Sequence, residues 1–278
     1  MLFRSEIGCN AADAHIAAGH DKPFDVKLPN HFDSLFYIRD YGTGLSEKDI
    51  LNLYTNYFQS TKTNSNDFTG CLGLGSKSPF SYTDNYFVES FFGGVHYTYL
   101  AYINESGVPS LNKISEETSE EPNGLKISFS CESKDLWQFQ TNASSIFRWF
   151  KVKPNFIDSD LKIPEEPGVF FSGTSYDIVN EKIKLVVMGN VAYPIDSSYI
   201  PNEKVFNSHG ILIRANIGDC DVTASRESLE MSPHTKNFLK KVIDNSKNFN
   251  DDLIALSMKN ENSLLESLAI KKEYAIIQ

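Results

Sequence analysis

The chain has 278 residues, of which 41% are hydrophobic and 22% charged, with a formal net charge of −10. That length favours one large or two ordinary domains, and 20 Phe with 13 Tyr mark a globular chain, not a disordered one. The charge argues against a broad nucleic-acid or anionic-membrane surface, which needs clustered Lys and Arg. Cys9, Cys71, Cys131 and Cys220 are scattered, so they suggest neither a zinc knuckle nor a disulfide framework and fit a reducing cytosol. Arg4 and Glu6 interrupt the N-terminus too early for a signal peptide, and no apolar run reaches bilayer length.

The first element reads as a helix. Glu6, Asn10 and Asp13 recur at steps of four and three and share one face, beside an apolar stripe of Ile7, Ala11, Ala14 and Ala18. Gly19-His20-Asp21-Lys22-Pro23 ends it. On an isolated helix such a polar row is solvated decoration; with small alanines and an apolar stripe alongside, it reads as a core helix presenting polar groups to a cleft. Residues 35–39 read as a short strand running into Asp40-Tyr41-Gly42-Thr43-Gly44, either a binding turn or an ordinary Asx/Gly turn. Ser46-Glu47-Lys48-Asp49 reads as a capped helix start, and the polar run 59–66 as a flexible flap.

The flap leads into three glycines within six residues, Gly70-Cys71-Leu72-Gly73-Leu74-Gly75, followed by Ser76-Lys77-Ser78-Pro79 at a predicted helix start. A backbone that curls around an anion needs glycine at close approach and the unpaired N–H groups of a helix start; Lys77 adds charge. The glycine-to-lysine spacing of a P-loop is absent, and no typical buried strand leads in as a Rossmann turn requires. Residues 85–92 and 95–103 read as a hairpin about Gly93-Gly94, residues 115–122 as an acidic loop, and 125–131 as a strand. A helix is expected over 134–151, burying Trp137, Ile146, Phe147, Trp149 and Phe150. The Pro-rich segment 163–168 is the expected boundary between domains at 1–163 and 164–278. Strands at 169–178, 183–188 and 210–217 and helices at 233–257 and 261–275 follow.

Three blocks stand in one order: Glu6 to Ala14, Asp40 to Gly44, and Gly70 to Ser78. Together they resemble the N box, adenine-binding box and lid box of the Bergerat ATP-binding fold, shared by gyrase B, the heat-shock chaperone, histidine kinases and MutL (the GHKL superfamily). The resemblance implies an α+β chain: a Bergerat α/β sandwich ATPase domain followed by a smaller α/β transducer-like domain, similar to ribosomal S5. A narrower resemblance, to the bacteriophage rIIA lysis-protector family, is carried by residues 36–45, 72–84, 187–194 and 217–229. The last of these holds Ser225-Arg226-Glu227, which also resembles a turn in the chaperone's middle domain.

On this resemblance the cofactors are ATP and Mg²⁺. Asp40 takes the adenine amino group, Gly42 and Gly44 let the base approach, and Asn10, with Asp13 in the same box, holds Mg²⁺ through its amide oxygen. Gly70, Leu72, Gly73, Leu74, Gly75 and Ser76 cradle the phosphates, with Lys62 and Lys77 as further positive charge. Glu6 orients or deprotonates the attacking water, and Arg226 stabilises the transferring phosphoryl group, the bland alternative for Arg226 being an ion pair with Glu227 or another acid. Leu125 stands where the family's late Thr would reach the adenine site. The implied function is an ATP-driven conformational switch made by a phage in the host cytoplasm, countering host exclusion or defence through a host or phage protein partner. A catalytically inactive interaction module is the alternative. A topoisomerase-like ATPase subunit is disfavoured by the charge and by the lack of a recognisable cleavage domain, and a histidine kinase by the lack of an upstream phospho-acceptor His. A nucleotide-dependent homodimer fits the superfamily, and the sequence leaves peripheral membrane association open.

Overall fold

The computed structural model describes residues 2–55, 75–173, 175–200, 209–223 and 227–246. The expected flap, most of the glycine-rich stretch and the last expected helix lie outside them. By contact the chain divides into two units, Met1–Glu165 with Gly189–Val191, and Glu166–Met188 with Ala192–Gln278.

The first unit opens with α1 (Leu2–Ala17) and contains α2 (Glu47–Thr55) and α3 (Leu136–Phe147). Its sheet is built from β1 (Asp25–Lys27), β2 (Leu35–Arg39), β3 (Asn85–Phe92), β4 (Val95–Ile103), β5 (Pro109–Thr118), β6 (Gly124–Ser130) and β7 (Asn155–Ile157). The strands lie in the order β5-β4-β3-β6-β2-β1-β7, antiparallel throughout except for the β1–β7 pair. Because strand side chains alternate faces, β3 buries Tyr86, Val88 and Ser90 while Phe87 between them stays exposed. Those inward positions join Val26, Phe36, Ile38, Tyr99 and Phe129 with Ile50, Phe139, Phe147 and Phe150 from helices and their flanks in one core. The α1 helix packs against β2 and β6, and α2 against β5.

The second unit holds a five-stranded sheet of β8 (Val169–Ser172), β9 (Tyr176–Val179), β10 (Lys184–Met188), β11 (Val191–Pro194) and β12 (Gly210–Ala215), ordered β11-β10-β12-β9-β8. The β10–β12 pair is parallel, and Val186, Ile211, Leu212 and Ile213 are fully or almost fully buried. The α4 helix (Pro233–Ser246) starts at Ser232, whose hydroxyl accepts the Thr235 N–H at 3.2 Å, with Pro233 in the first turn where its missing N–H costs nothing. Leu239, Val242 and Ile243 form its buried stripe.

Four expectations need correction. The acidic loop at 115–122 begins inside β5, an edge strand whose charged side chains face solvent and guard its open edge. The expected helix start after the glycines is a 3-10 segment, Gly75–Ser81, with Pro79 inside it; Pro79 cannot donate an α-helical bond and would crowd the carbonyl four residues before it. Trp137 is 73% exposed, because the buried face of α3 runs through Leu136, Phe139, Ala143 and Phe147. The strand expected over 169–178 is two strands, β8 and β9. The short strands β1, β7 and β11 were not expected.

Candidate functional site

The turn that follows β2 meets α1 at Ala14. Glu6 and Asp13 are buried on α1 and Asn10 between them is partly exposed. Ile7, Cys9 and Ala11 root the helix in the core. The 3-10 segment, which carries Gly75, Ser76 and Lys77, packs against α1 and α2. Lys62, Gly70, Leu72, Gly73, Leu74 and Arg226 lie outside the described residues; the flanks of Arg226 are pinned by a Val222–Leu229 bridge and by the Thr223 N–H donating to the Ser228 carbonyl at 3.0 Å.

Asp40 is the best-defined group of the site. It is buried, 7% exposed, one residue beyond β2, and its N–H still donates to the Leu125 carbonyl at 2.8 Å. Its Oδ1 accepts the Gly42 N–H at 2.9 Å and the Leu125 N–H at 3.2 Å. Two backbone donors on one oxygen fix the plane of the carboxylate. Leu125 thus contributes its peptide group to the turn.

Both glycines of this turn are demanded by contact. A Cβ on Gly42 would lie 2.8 Å from the Ala14 Cβ, so the turn runs flush against α1 with no room for a side chain. Gly44 sits at φ +70°, and a Cβ there would lie 2.3 Å from the Phe91 carbonyl oxygen. Past Gly44 the chain is tied to β3: the Ser90 hydroxyl accepts the Leu45 N–H at 3.1 Å and donates to the Leu45 carbonyl at 2.7 Å. Ser46 then caps α2 by accepting the Asp49 N–H at 3.2 Å while donating to the Asp49 carboxylate at 2.6 Å.

Arg39 braces the same turn from within. Its guanidinium donates to the Asp40 and Pro122 carbonyls and lies 4.0 Å from the centre of the Phe91 ring and 4.9 Å from that of Tyr41. Burial pulls its pKa down from the ordinary arginine value, while the nearby Asp40 carboxylate pulls it back up. Sequence reasoning missed Arg39 and Ser90. The available signals were a charge closing an apolar strand and a serine at an inward position among aromatics.

These residues fit a Mg²⁺-nucleotide at its base end. An adenine amino group needs an oriented oxygen acceptor beside backbone that no side chain shields, and Asp40 between Gly42 and Leu125 has that form. Asn10 offers the kind of oxygen ligand a hard cation prefers. Among the described residues no cluster of three or more His, Cys, Asp or Glu forms a metal site of protein ligands alone.

No protein-family model and no curated protein matches the chain. Among solved structures the chain is similar to the ATPase region of Saccharomyces cerevisiae topoisomerase II, at 13% identity over 90% of this chain and 85% of that one, with a TM-score of 0.57. The same region bound to ICRF-187 (dexrazoxane) gives 13% identity, the same coverage and a TM-score of 0.60. The ATPase and transducer domains of DNA topoisomerase II from Balamuthia mandrillaris give 15% identity over 88% of this chain and 81% of that one, with a TM-score of 0.57. The fold is therefore the one seen in the ATPase and transducer domains of type II topoisomerases.

Proposed function

We propose that this chain binds Mg²⁺-ATP in its first unit and uses slow hydrolysis to switch conformation. The observation that supports it most directly is the Asp40 carboxylate, buried, oriented by two peptide N–H groups and set beside glycines that keep side chains away. Asp40 accepts the adenine amino group. Asn10 holds Mg²⁺, which neutralises charge on the phosphate oxygens, and Asp13 belongs to the same polar row. Glu6, one helical turn before Asn10, orients or deprotonates the attacking water. Gly70, Leu72, Gly73, Leu74, Gly75 and Ser76 hold the phosphates, Lys62 and Lys77 add charge, and Arg226 stabilises the transferring group. All of these roles rest on the sequence resemblance.

The finer reading, an rIIA-like phage protein acting in the host cytoplasm against exclusion or defence, with a host or phage protein partner and a nucleotide-dependent homodimer, rests on the sequence resemblance alone. A catalytically inactive module, nucleotide-bound or nucleotide-free, that works only by binding a host protein is the competing reading.

Phosphate release and titration calorimetry on the wild type, Glu6→Ala and Asp40→Asn test the proposal. Slow turnover is expected in the wild type, binding without turnover in Glu6→Ala, and neither in Asp40→Asn, whose amide turns a donor toward the adenine amino group and weakens binding by roughly a hundredfold. A folded wild type that binds no Mg²⁺-ATP would overturn it. Binding without turnover in the wild type would select the competing module.

A further inference from the structure

The last turn of α1 closes as a Schellman motif. The His20 N–H donates to the His15 carbonyl at 3.1 Å and the Gly19 N–H to the Ile16 carbonyl at 3.0 Å, with Gly19 at φ +75°. That motif brings its third-last helical residue against the residue two beyond the cap, and here both are histidines, with ring centroids 4.5 Å apart. His15 is 3% exposed. Its Nδ1 lies 2.7 Å from the Lys22 carbonyl, an acceptor, so Nδ1 carries the hydrogen and Nε2 is left to accept the Tyr41 N–H at 2.7 Å. His20 Nε2 donates to the Tyr41 carbonyl at 3.0 Å. Both peptide groups of the residue between Asp40 and Gly42 therefore end on imidazoles. The Tyr41 side chain is anchored as well, its hydroxyl donating to Asp25 at 2.5 Å while Asn155 donates to the other Asp25 oxygen at 3.0 Å.

We infer that His15 is a positioning residue for nucleotide binding: as the neutral Nδ1–H tautomer it holds the Tyr41 N–H and so sets the Asp40–Gly42 turn against α1. The inference rests on the reading of Asp40 as the adenine acceptor. An apolar residue at 15 would fill the space but leave the Tyr41 N–H and the Lys22 carbonyl without these partners, loosening the turn. A glutamine can place its side-chain oxygen near the position of Nε2 and keep the acceptor.

The clamp works in one protonation state only, since an imidazolium has no lone pair for the Tyr41 N–H. The titratable and charged groups facing the ring are His20 at the end of α1, Arg39 and Tyr41 at the end of β2, and Asp25 on β1. Burial is the main influence and lowers the His15 pKa from its ordinary value of 6.5; the Lys22 carbonyl opposes it, His20 and Arg39 add to it, and Asp25 opposes it more weakly. The folded value therefore lies below the unfolded one. The clamp's contribution to stability and affinity is complete above about pH 6.5 and is lost as pH falls through the folded value.

The test is calorimetric titration of the full chain with Mg²⁺-ADP from about pH 8 to about pH 5.5, on the wild type, His15→Gln and His15→Leu. Near pH 8 His15→Leu should bind about tenfold more weakly, with His15→Gln within about threefold of the wild type. The ratio of wild-type to His15→Gln affinity should fall in acid, because the titration of the nucleotide's own phosphates is common to both and cancels. A pH-independent ratio, or a folded His15→Leu that binds as tightly as the wild type, would overturn the inference; if His15→Leu does not fold, the ratio decides alone. No binding of either Mg²⁺-ADP or Mg²⁺-ATP by the folded wild type would overturn the Mg²⁺-ATP reading and this inference with it.

Discussion

Ser90 is fully buried on β3, and both hydrogen bonds of its hydroxyl go to the backbone of Leu45, just past the Gly44 turn. Ser90→Ala would remove both partners from Leu45 without opening a large cavity. The expected cost is about 1–3 kcal/mol of unfolding free energy, measured as a lower denaturant midpoint at unchanged slope, together with weaker nucleotide binding. Equal stability would show that Leu45 finds other partners. The contrast with Asp40 explains which site residues can be read from sequence. Asp40, Gly42 and Gly44 lie within five residues, so the turn chemistry is written locally. Ser90 reaches Leu45, Arg39 reaches Pro122 and His15 reaches Tyr41 across 45, 83 and 26 residues, brought close only by strand pairing and by the end of α1. No local pattern encodes them.

At the scale of elements, α3 separates periodicity from residue type. Trp137 invites burial by its size, but the helical face that meets the sheet passes through Phe139, whose ring lies 5.2 Å from Phe36, 5.5 Å from Tyr82 and 6.4 Å from Phe129. Phe139→Ala should destabilise the chain by roughly 3–5 kcal/mol, while Trp137→Gln should stay within about 0.5 kcal/mol, both read by chemical denaturation. A comparable loss in Trp137→Gln would mean that the exposed indole is covered by something in solution. The β3–β4 hairpin was legible because Gly93 and Gly94, at φ +60° and +81°, supply the left-handed pair a tight two-residue turn needs. The three-residue strands β1 and β7 were not, because their parallel pairing joins Asp25 to Asn155, far along the chain, and three residues show no period. Pro79 shows the same limit in reverse: it suits a first helical turn, yet sits fifth in a 3-10 segment that never becomes an α-helix.

At the scale of the whole molecule, a topoisomerase-like ATPase-and-transducer fold is carried by a chain of formal charge −10, with 26 Lys and Arg against 36 Asp and Glu. Duplex DNA is bound by neutralising phosphates with clustered cations, and each contact adds about one counterion to the salt dependence. A chain with ten excess negative charges repels that surface unless one face is locally basic. Fluorescence anisotropy with a labelled duplex at about 50 mM salt should therefore show no binding at micromolar protein, with or without Mg²⁺-ATP, whereas DNA-binding proteins that keep roughly 10⁻⁴–10⁻⁶ M non-specific affinity at physiological salt bind far more tightly at that lower salt. Binding that weakens steeply between about 50 and 200 mM salt would instead reveal a basic face hidden in the net charge and move the chain toward a topoisomerase-like role. A null result there would leave the charge favouring a basic protein partner, since the proposed nucleotide-driven switch needs a second surface whose affinity differs between its two states.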